Sequence, residues 1–384
     1  MARRILYLVS EDWYFISHRL PMARAAQRAG YEVHVATRVG DCGQQITREG
    51  FVLHSIHWQR GSLNPIRLLT AALETRRVYR QVSPDLVHHV ALVPSLIGSL
   101  AALGLPIVRL NALAGLGFAF TSNTAKARAV RPIARLLLGW LLKRPNTAVL
   151  VQNPDDFALV AKLGVPKEAI ALIPGSGVDT EILTPLPEPA GPFTVAFVGR
   201  LLDDKGVRTL VRAHELLAQH GFAVRTLLAG EPDPSNPASI PQHVLAGWRR
   251  IPGLRLLGHV EDIRRVWAQA HVAVLPSRRE GLPKSLLEGA TCGRPLIATD
   301  VPGCREIARN GINALLIPMD DAEALADAIQ TLMMDADLRA RFASASRQIA
   351  VTEYSNARIG SEITALYSRL LEGALSSKLR PRMT

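Results

Sequence analysis

At 384 residues the chain is far longer than one small core needs, and about 150 residues per domain points to two or three domains. Apolar residues make up 48% and charged residues 20%, which excludes a disordered chain, and three cysteines (Cys42, Cys292, Cys304) exclude a disulfide scaffold or a structural zinc site and fit a reducing compartment. The net charge is +12, and residues 1–185 carry most of it, with 21 Lys/Arg against 12 Asp/Glu, a field that attracts polyanions such as nucleic acid, anionic lipid or a phosphorylated substrate.

The chain opens with Arg3-Arg4 and a short apolar run that ends at Ser10-Glu11-Asp12. The run is too short for the apolar core of a signal peptide, so a buried first strand is expected over Ile5–Val9. A helix over Arg19–Ala29, ended by Gly30, leads to a strand at Glu32–Ala36. Further strands are expected at Leu86–His88, Ile107–Leu110 and Ala148–Val151. Residues 90–108 carry no charge, but Pro94, Gly98, Gly104 and Pro106 break them into strand end, helix and strand. No transmembrane segment is predicted.

Residues 125–145 read AKARAVRPIARLLLGWLLKRP. Lys126, Arg128, Arg131, Arg135, Lys143 and Arg144 surround Leu137, Trp140 and Leu141. This composition suits a helix lying in an anionic membrane interface. It suits equally a helix that packs its apolar face on the core and solvates its basic one.

Five prolines within 174–192 mark a linker. Beyond it the alternation restarts, with strands expected at Phe193–Val198, Val224–Ala229, Leu254–Leu257, Val272–Leu275, Leu296–Ala298 and Ala314–Ile317, and helices including Val207–His220 and Ala322–Met334. Short apolar runs alternating with helical patterns predict α/β architecture with parallel sheets.

Three segments here are candidates for chemistry, the plainest being Leu296–Glu306, a strand, turn and helix start that would line the same cleft as the other two. Gly199-Arg200-Leu-Leu-Asp-Asp-Lys205-Gly206 follows a strand and precedes a helix. Two cations at the carboxyl end of a parallel strand, with a helix start behind them, suit a diphosphate. A solvated basic turn is the plainer alternative. In Glu280-Gly281-Leu282-Pro283-Lys284-Ser285-Leu286-Leu287-Glu288 the proline suits a first helical turn. Glu280 then sits on the incoming loop and Glu288 in the second turn, both able to face one ligand. A helix start with two surface acids is again the alternative. No His/Cys cluster has metal-ligand spacing, and Asp203-Asp204 and Asp320-Asp321 read as solvated turn acids.

Taken together, residues 199–206, GHVED at 258–262, Glu280 to Glu288, and GRPLIATDVPGCREIARNGINALLIP at 293–318 resemble glycosyltransferase family 4. These are retaining, nucleotide-sugar-dependent enzymes of GT-B fold. In the first half FISHRLPMARAAQRAGYEV at 15–33, PDLVHHV at 84–90 and ALAGLGFAF at 112–120 are similar to bacterial members that extend lipid-linked oligosaccharides. The resemblance implies two Rossmann-like domains facing across a cleft. An acceptor domain would span 1–182 and a nucleotide-sugar domain 190–354, with a helix in 355–384 returning to the first domain. Arg200 and Lys205 match the cationic pair on the donor diphosphate, and with Glu280, on the donor-sugar hydroxyls, they form the implied catalytic set. Glu288 matches the ribose contact, and Val260 a position near the base. Gly199, Gly281, Leu282 and Pro283 match donor-binding backbone. No metal or other cofactor is implied.

The first half departs from the family pattern. Ser10–His18 lacks the usual glycine-rich loop, and Asn111-Ala112 stands where a histidine is common. His18, His88 and His89 are candidates for that histidine by type only. His18, Arg19 and Asn111 are the expected acceptor contacts. The resulting expectation is a peripheral enzyme on the cytoplasmic face of the inner membrane, in surface polysaccharide assembly. It moves a hexose or N-acetylhexosamine from a UDP-sugar to a polyprenyl-diphosphate-linked saccharide. A same-fold transferase with a soluble acceptor and a nucleotide-sugar epimerase are the alternatives. With 5% aromatic residues and no matching motif, nucleic-acid binding is not expected.

Overall fold

The computed structural model describes residues 2–58, 65–113, 136–175, 177–234 and 236–379. The chain divides into two units, residues 1–176 with 356–384, and residues 177–355.

The first unit is built on seven parallel strands: β1 (Arg4–Glu11), β2 (Glu32–Arg38), β3 (Val52–Ser55), β4 (Leu86–Val90), β5 (Val108–Ala112), β6 (Thr147–Val151) and β7 (Ile170–Leu172). Their order is β3-β2-β1-β4-β5-β6-β7. The central strands are buried on both faces, so that even His88 and His89 of β4 and Asn111 of β5 lie in the interior among the apolar side chains. β3 and β7, absent from the sequence reading, are the two edges, and both are short and partly exposed.

Helices cover both faces of this sheet. On one, helix Leu20–Arg28 and the C-terminal helix Asn356–Leu379 pack together, and Ile359, Ile363, Leu366 and Tyr367 enter the core formed by Ile5, Tyr7 and Val9. Gly360 makes this packing close, since a Cβ there would lie 2.8 Å from the Ala25 methyl. Tyr367 anchors the C-terminal helix: its hydroxyl meets Tyr7 Oη at 2.8 Å and His88 Nδ1 at 2.7 Å.

The second unit has six parallel strands: β8 (Thr194–Val198), β9 (Arg225–Ala229), β10 (Leu254–Gly258), β11 (Val272–Leu275), β12 (Leu296–Thr299) and β13 (Ala314–Ile317). Their order, β10-β9-β8-β11-β12-β13, repeats that of the first unit, so each sheet reverses direction of winding once, between β1 and β4 or between β8 and β11. Such reversal points open the crevice in which doubly wound sheets take ligands.

From Gly177 on, the proline-rich segment is part of the second unit. Val178 and Leu183 join its core, Val178 N–H donates to Tyr354 O at 2.8 Å, and the Arg347 guanidinium holds the Leu183 and Thr180 carbonyls. Among the described residues no helix is long and apolar enough to cross a membrane.

Candidate active site

At the carboxyl ends of β8, β9 and β10, glycines draw three strand ends together. Gly199 and Gly230 adopt φ of +155° and +137°, and a Cβ on Gly230 would collide with the Gly199 carbonyl oxygen. Gly230 N–H donates to Gly258 O at 2.8 Å. Gly206, at φ +69°, caps helix Val207–Gln219 and lies so close to Pro276 that any side chain would strike its carbonyl. Only glycine fits there. Its absent side chain brings the turn carrying Arg200 and Lys205 onto the loop leaving β11.

That loop is braced to the turn from several atoms. Arg278 N–H and Ser277 Oγ donate to Asp204 O at 2.9 and 3.0 Å, and the Arg279 guanidinium reaches the Asp204 carboxylate at 3.3 Å. Arg278 itself grips Asp320 at 2.8 Å, Asp203 pairs with Arg208 at 2.6 Å, and Asp321 caps the helix Ala322–Met334 through Ala324 N–H at 2.9 Å. The turn acids are therefore partnered rather than simply solvated.

The brace places the expected residues in one neighbourhood. Lys205 Nζ donates to Glu280 Oε1 at 2.5 Å, joining the β8 turn to the β11 loop across the reversal point. Arg200 Nη1 donates to Asp233 Oδ2 at 2.6 Å. Pro283 stands at the N-cap of helix Lys284–Thr291, one position earlier than expected, and Glu288 lies in the second turn, 3.7 Å from Lys284 Nζ. Burial pushes the Glu288 carboxyl up, with Lys284 opposing it. Val260 lies two residues past β10, half-buried against the core. Gly281 and Leu282 are half-buried on the loop itself. Among the described residues no three His, Cys, Asp or Glu side chains converge as a metal would need.

Sequence reasoning missed Asp233 and Gly230, and held Gly303 only as part of the segment 293–318. Asp233, the counter-charge of Arg200, lies 33 residues away on the loop after β9. Gly230 has its signal in Ala229-Gly230 directly after a strand. Gly303, at φ +82°, holds the start of helix Cys304–Ile307 against the Glu280 loop, where a Cβ would come within 2.6 Å of Glu280 O.

In the first unit the expected acceptor contacts divide. His18 is half-buried, its ring stacked on Tyr14 at 4.2 Å. Arg19 is 1% exposed and its Nη1 donates to His18 O at 3.0 Å. Asn111 is wholly buried, its Oδ1 accepting from His89 Nδ1 at 2.8 Å and Ser99 Oγ at 3.0 Å. Both are interior side chains, and among the described residues Arg19 Nε and Asn111 Nδ2 have no hydrogen-bond partner. His88 and His89 are buried too. Tyr79 Oη donates to His89 Nε2 at 2.8 Å, and burial lowers the His89 pKa to about 4.

Of the expected interface segment, Lys126, Arg128, Arg131 and Arg135 lie outside the described residues. Residues 136–142 are helical. Leu141, 1% exposed, is a core residue like Leu138 and Leu142, which corrects its expected place at a membrane surface. Trp140 is 44% exposed with the Arg144 guanidinium 3.6 Å over its ring, Leu137 is half-buried and Lys143 is exposed.

Comparison with known proteins follows the same division. The family model for Glycosyl transferases group 1 matches residues 192–335, and that for Glycosyl transferase 4-like matches residues 4–153. The chain is similar to the N,N'-diacetylbacillosaminyl-diphospho-undecaprenol alpha-1,3-N-acetylgalactosaminyltransferase of Campylobacter jejuni, at 25% identity over 93% of this chain and 98% of the relative. Among solved structures it is similar to sucrose-phosphate synthase from Thermosynechococcus elongatus, with TM-score 0.80 and 20% identity over 97% of this chain and 100% of that one. It is similar also to Anabaena HepE in complex with UDP and glucose, with TM-score 0.77 and 18% identity over 95% of this chain and 99% of that one.

Proposed function

Because the chain belongs to the glycosyltransferases of GT-B fold, 4-like in its first half and group 1 in its second, we propose that it moves a hexose or N-acetylhexosamine from a UDP-sugar to a polyprenyl-diphosphate-linked saccharide, with retention at the anomeric carbon. The observation that carries the donor half is the Lys205–Glu280 pair at the reversal point of the second sheet. A diphosphate is the natural partner for Lys205 and Arg200, and sugar hydroxyls for Glu280 and the loop backbone at Gly281, Leu282 and Pro283. Each ligand group replaces a partner the side chain already holds, so the site is preorganised rather than assembled.

As the sugar–phosphate bond breaks, negative charge grows on the leaving diphosphate, and two fixed cations lower that barrier. The acceptor hydroxyl then attacks from the same face within an ion pair, its oxygen bonding to the anomeric carbon as its proton passes to a phosphate oxygen of the departing UDP. Glu288 holds the ribose hydroxyls, and Val260 flanks the base. With cations in place for the diphosphate, no divalent metal is required, and EDTA leaves turnover unchanged; loss of turnover, restored by Mg²⁺, contradicts this. The UDP donor is supported by the UDP bound to HepE, and the lipid-linked acceptor by the activity for which the Campylobacter relative is named. Trp140 and the basic residues around it would seat the enzyme on the cytoplasmic face of an anionic membrane.

The experiment is calorimetric titration of UDP into wild type and Glu288→Ala. Loss of one hydrogen-bonding carboxylate predicts about tenfold weaker UDP binding. Equal affinities remove the ribose role. The anomeric coupling constant of the purified product tests retention, and an inverted product contradicts it.

A further inference from the structure

In the second unit the candidate site occupies the carboxyl edge where β8 and β11 meet, and the first unit has the same strand order with its reversal between β1 and β4. Four independent features converge on that second edge. First, the pairing of β1 with β2 slips between Leu8 and Glu11, a bulge that re-aims the residues after it. Second, two carboxylates follow the bulge. Asp12 is buried and ties down three backbone amides, those of Trp13 (2.7 Å), Gly40 (2.6 Å) and Cys42 (3.0 Å). Glu11 is 5% exposed and holds Arg38 through Oε2 at 2.9 Å, while its Oε1 is buried with no hydrogen-bond partner among the described residues. Third, Trp13, in the first turn of the helix Asp12–His18, stands 39% exposed with its ring edge-to-face with Tyr14 at 5.7 Å, and Val39 and Val93 are exposed just past the ends of the adjacent strands β2 and β4. Fourth, Ala91, the residue between β4 and its helix, has φ 77° and ψ 170°, a region otherwise left to glycine. Strain of this kind gathers where a site imposes it.

We propose that this edge is a saccharide-binding subsite, with the indole of Trp13 as the platform on which one sugar ring of the acceptor stacks. This inference rests on the transferase reading and adds to it the residue that selects the acceptor. One face of a pyranose presents only C–H bonds, which an indole takes by dispersion and by the pull of its negative face on polarised hydrogens. The flanking chemistry selects a neutral polyol over the other candidates. A buried carboxylate oxygen without a partner needs an O–H or N–H donor. A lipid chain has neither, and a phosphate would meet two carboxylates. The turn that replaces the usual glycine-rich loop thereby has a task of its own.

The test uses the full chain labelled with 5-fluorotryptophan, the Trp13 ¹⁹F resonance being assigned by Trp13→Phe. Soluble methyl glycosides of hexose and N-acetylhexosamine disaccharides are titrated with and without saturating UDP, beside phosphatidylcholine vesicles. We expect at least one disaccharide to shift the Trp13 resonance, Trp13→Ala to weaken its binding about tenfold, Trp13→Phe to recover most of it, and UDP affinity to stay unchanged in both variants. A Trp13 resonance that no disaccharide moves, or disaccharide binding that survives Trp13→Ala, or a resonance moved by vesicles in place of sugars, overturns the proposal. Failure of wild type to bind UDP strikes the transferase reading instead, and the two failures are read in separate titrations.

Discussion

A single absent Cβ does much to shape the donor site. Gly206 lets the Arg200–Lys205 turn lie on the Pro276 carbonyl, and that contact brings Lys205 to Glu280. Gly206→Ala combines a strained φ with a backbone collision, so it should lower the stability of the second unit by more than about 1 kcal/mol and weaken UDP binding with it. Urea titration and calorimetry read the two effects, and wild-type values in both would show the contact to be incidental. The cations act differently. Arg200→Ala with Lys205→Ala should leave the fold intact and lower kcat by about 10²–10³, the usual loss when charge stabilisers are removed. Near-normal turnover would remove the diphosphate role. Residue type singled out these cations and the two glutamates as candidates, and only the resemblance of the combined segments gave them roles. It did not identify Asp233, whose pairing with Arg200 depends on how β8 and β9 end side by side.

Elements were legible in proportion to their burial. Buried parallel strands such as β11, β8 from Val195 on and β1 over Ile5–Val9 are apolar runs and announce themselves. The edges β3 and β7, reading Val-Leu-His-Ser and Ile-Ala-Leu, have too few buried positions to stand out. The expected acceptor contacts Asn111 and Arg19 rest on the family pattern, and only the packing of β5 and of the segment leading into helix Leu20–Arg28 reveals that both are interior. The helix at 136–142 separates its two expected roles by face. Leu141→Ser puts a hydroxyl into the core and should cost about 3 kcal/mol of stability. Trp140→Ser should change stability little and reduce retention on anionic vesicles. If Trp140→Ser binds vesicles as wild type does, this helix is not the membrane contact.

At the scale of the whole molecule, charge and buried histidine set the response to solution conditions. The excess of Lys/Arg in residues 1–185 makes vesicle binding a salt-sensitive property, strongest at low ionic strength. Burial holds His89 neutral in the fold, with a pKa of about 4, against 6.5 when exposed. The unfolded chain therefore takes up a proton that the folded one refuses. Stability from this group is fully present above about pH 6.5 and falls as pH drops toward 4, by about 3 kcal/mol in all. Urea titrations from pH 7.5 to 4.5 should show that loss in wild type and a shallower one in His89→Gln; equal slopes would assign the acid sensitivity elsewhere.

Release of free nucleotide tests the central claim most directly. Purified protein is incubated with a panel of UDP- and GDP-sugars, with and without short polyprenyl-diphosphate-linked saccharides. The account predicts UDP release from one sugar donor, dependent on the lipid-linked acceptor and slowed about 10²–10³-fold in the Arg200→Ala, Lys205→Ala double variant. Release that is indifferent to the acceptor, or none from any donor with any lipid-linked saccharide, would contradict it.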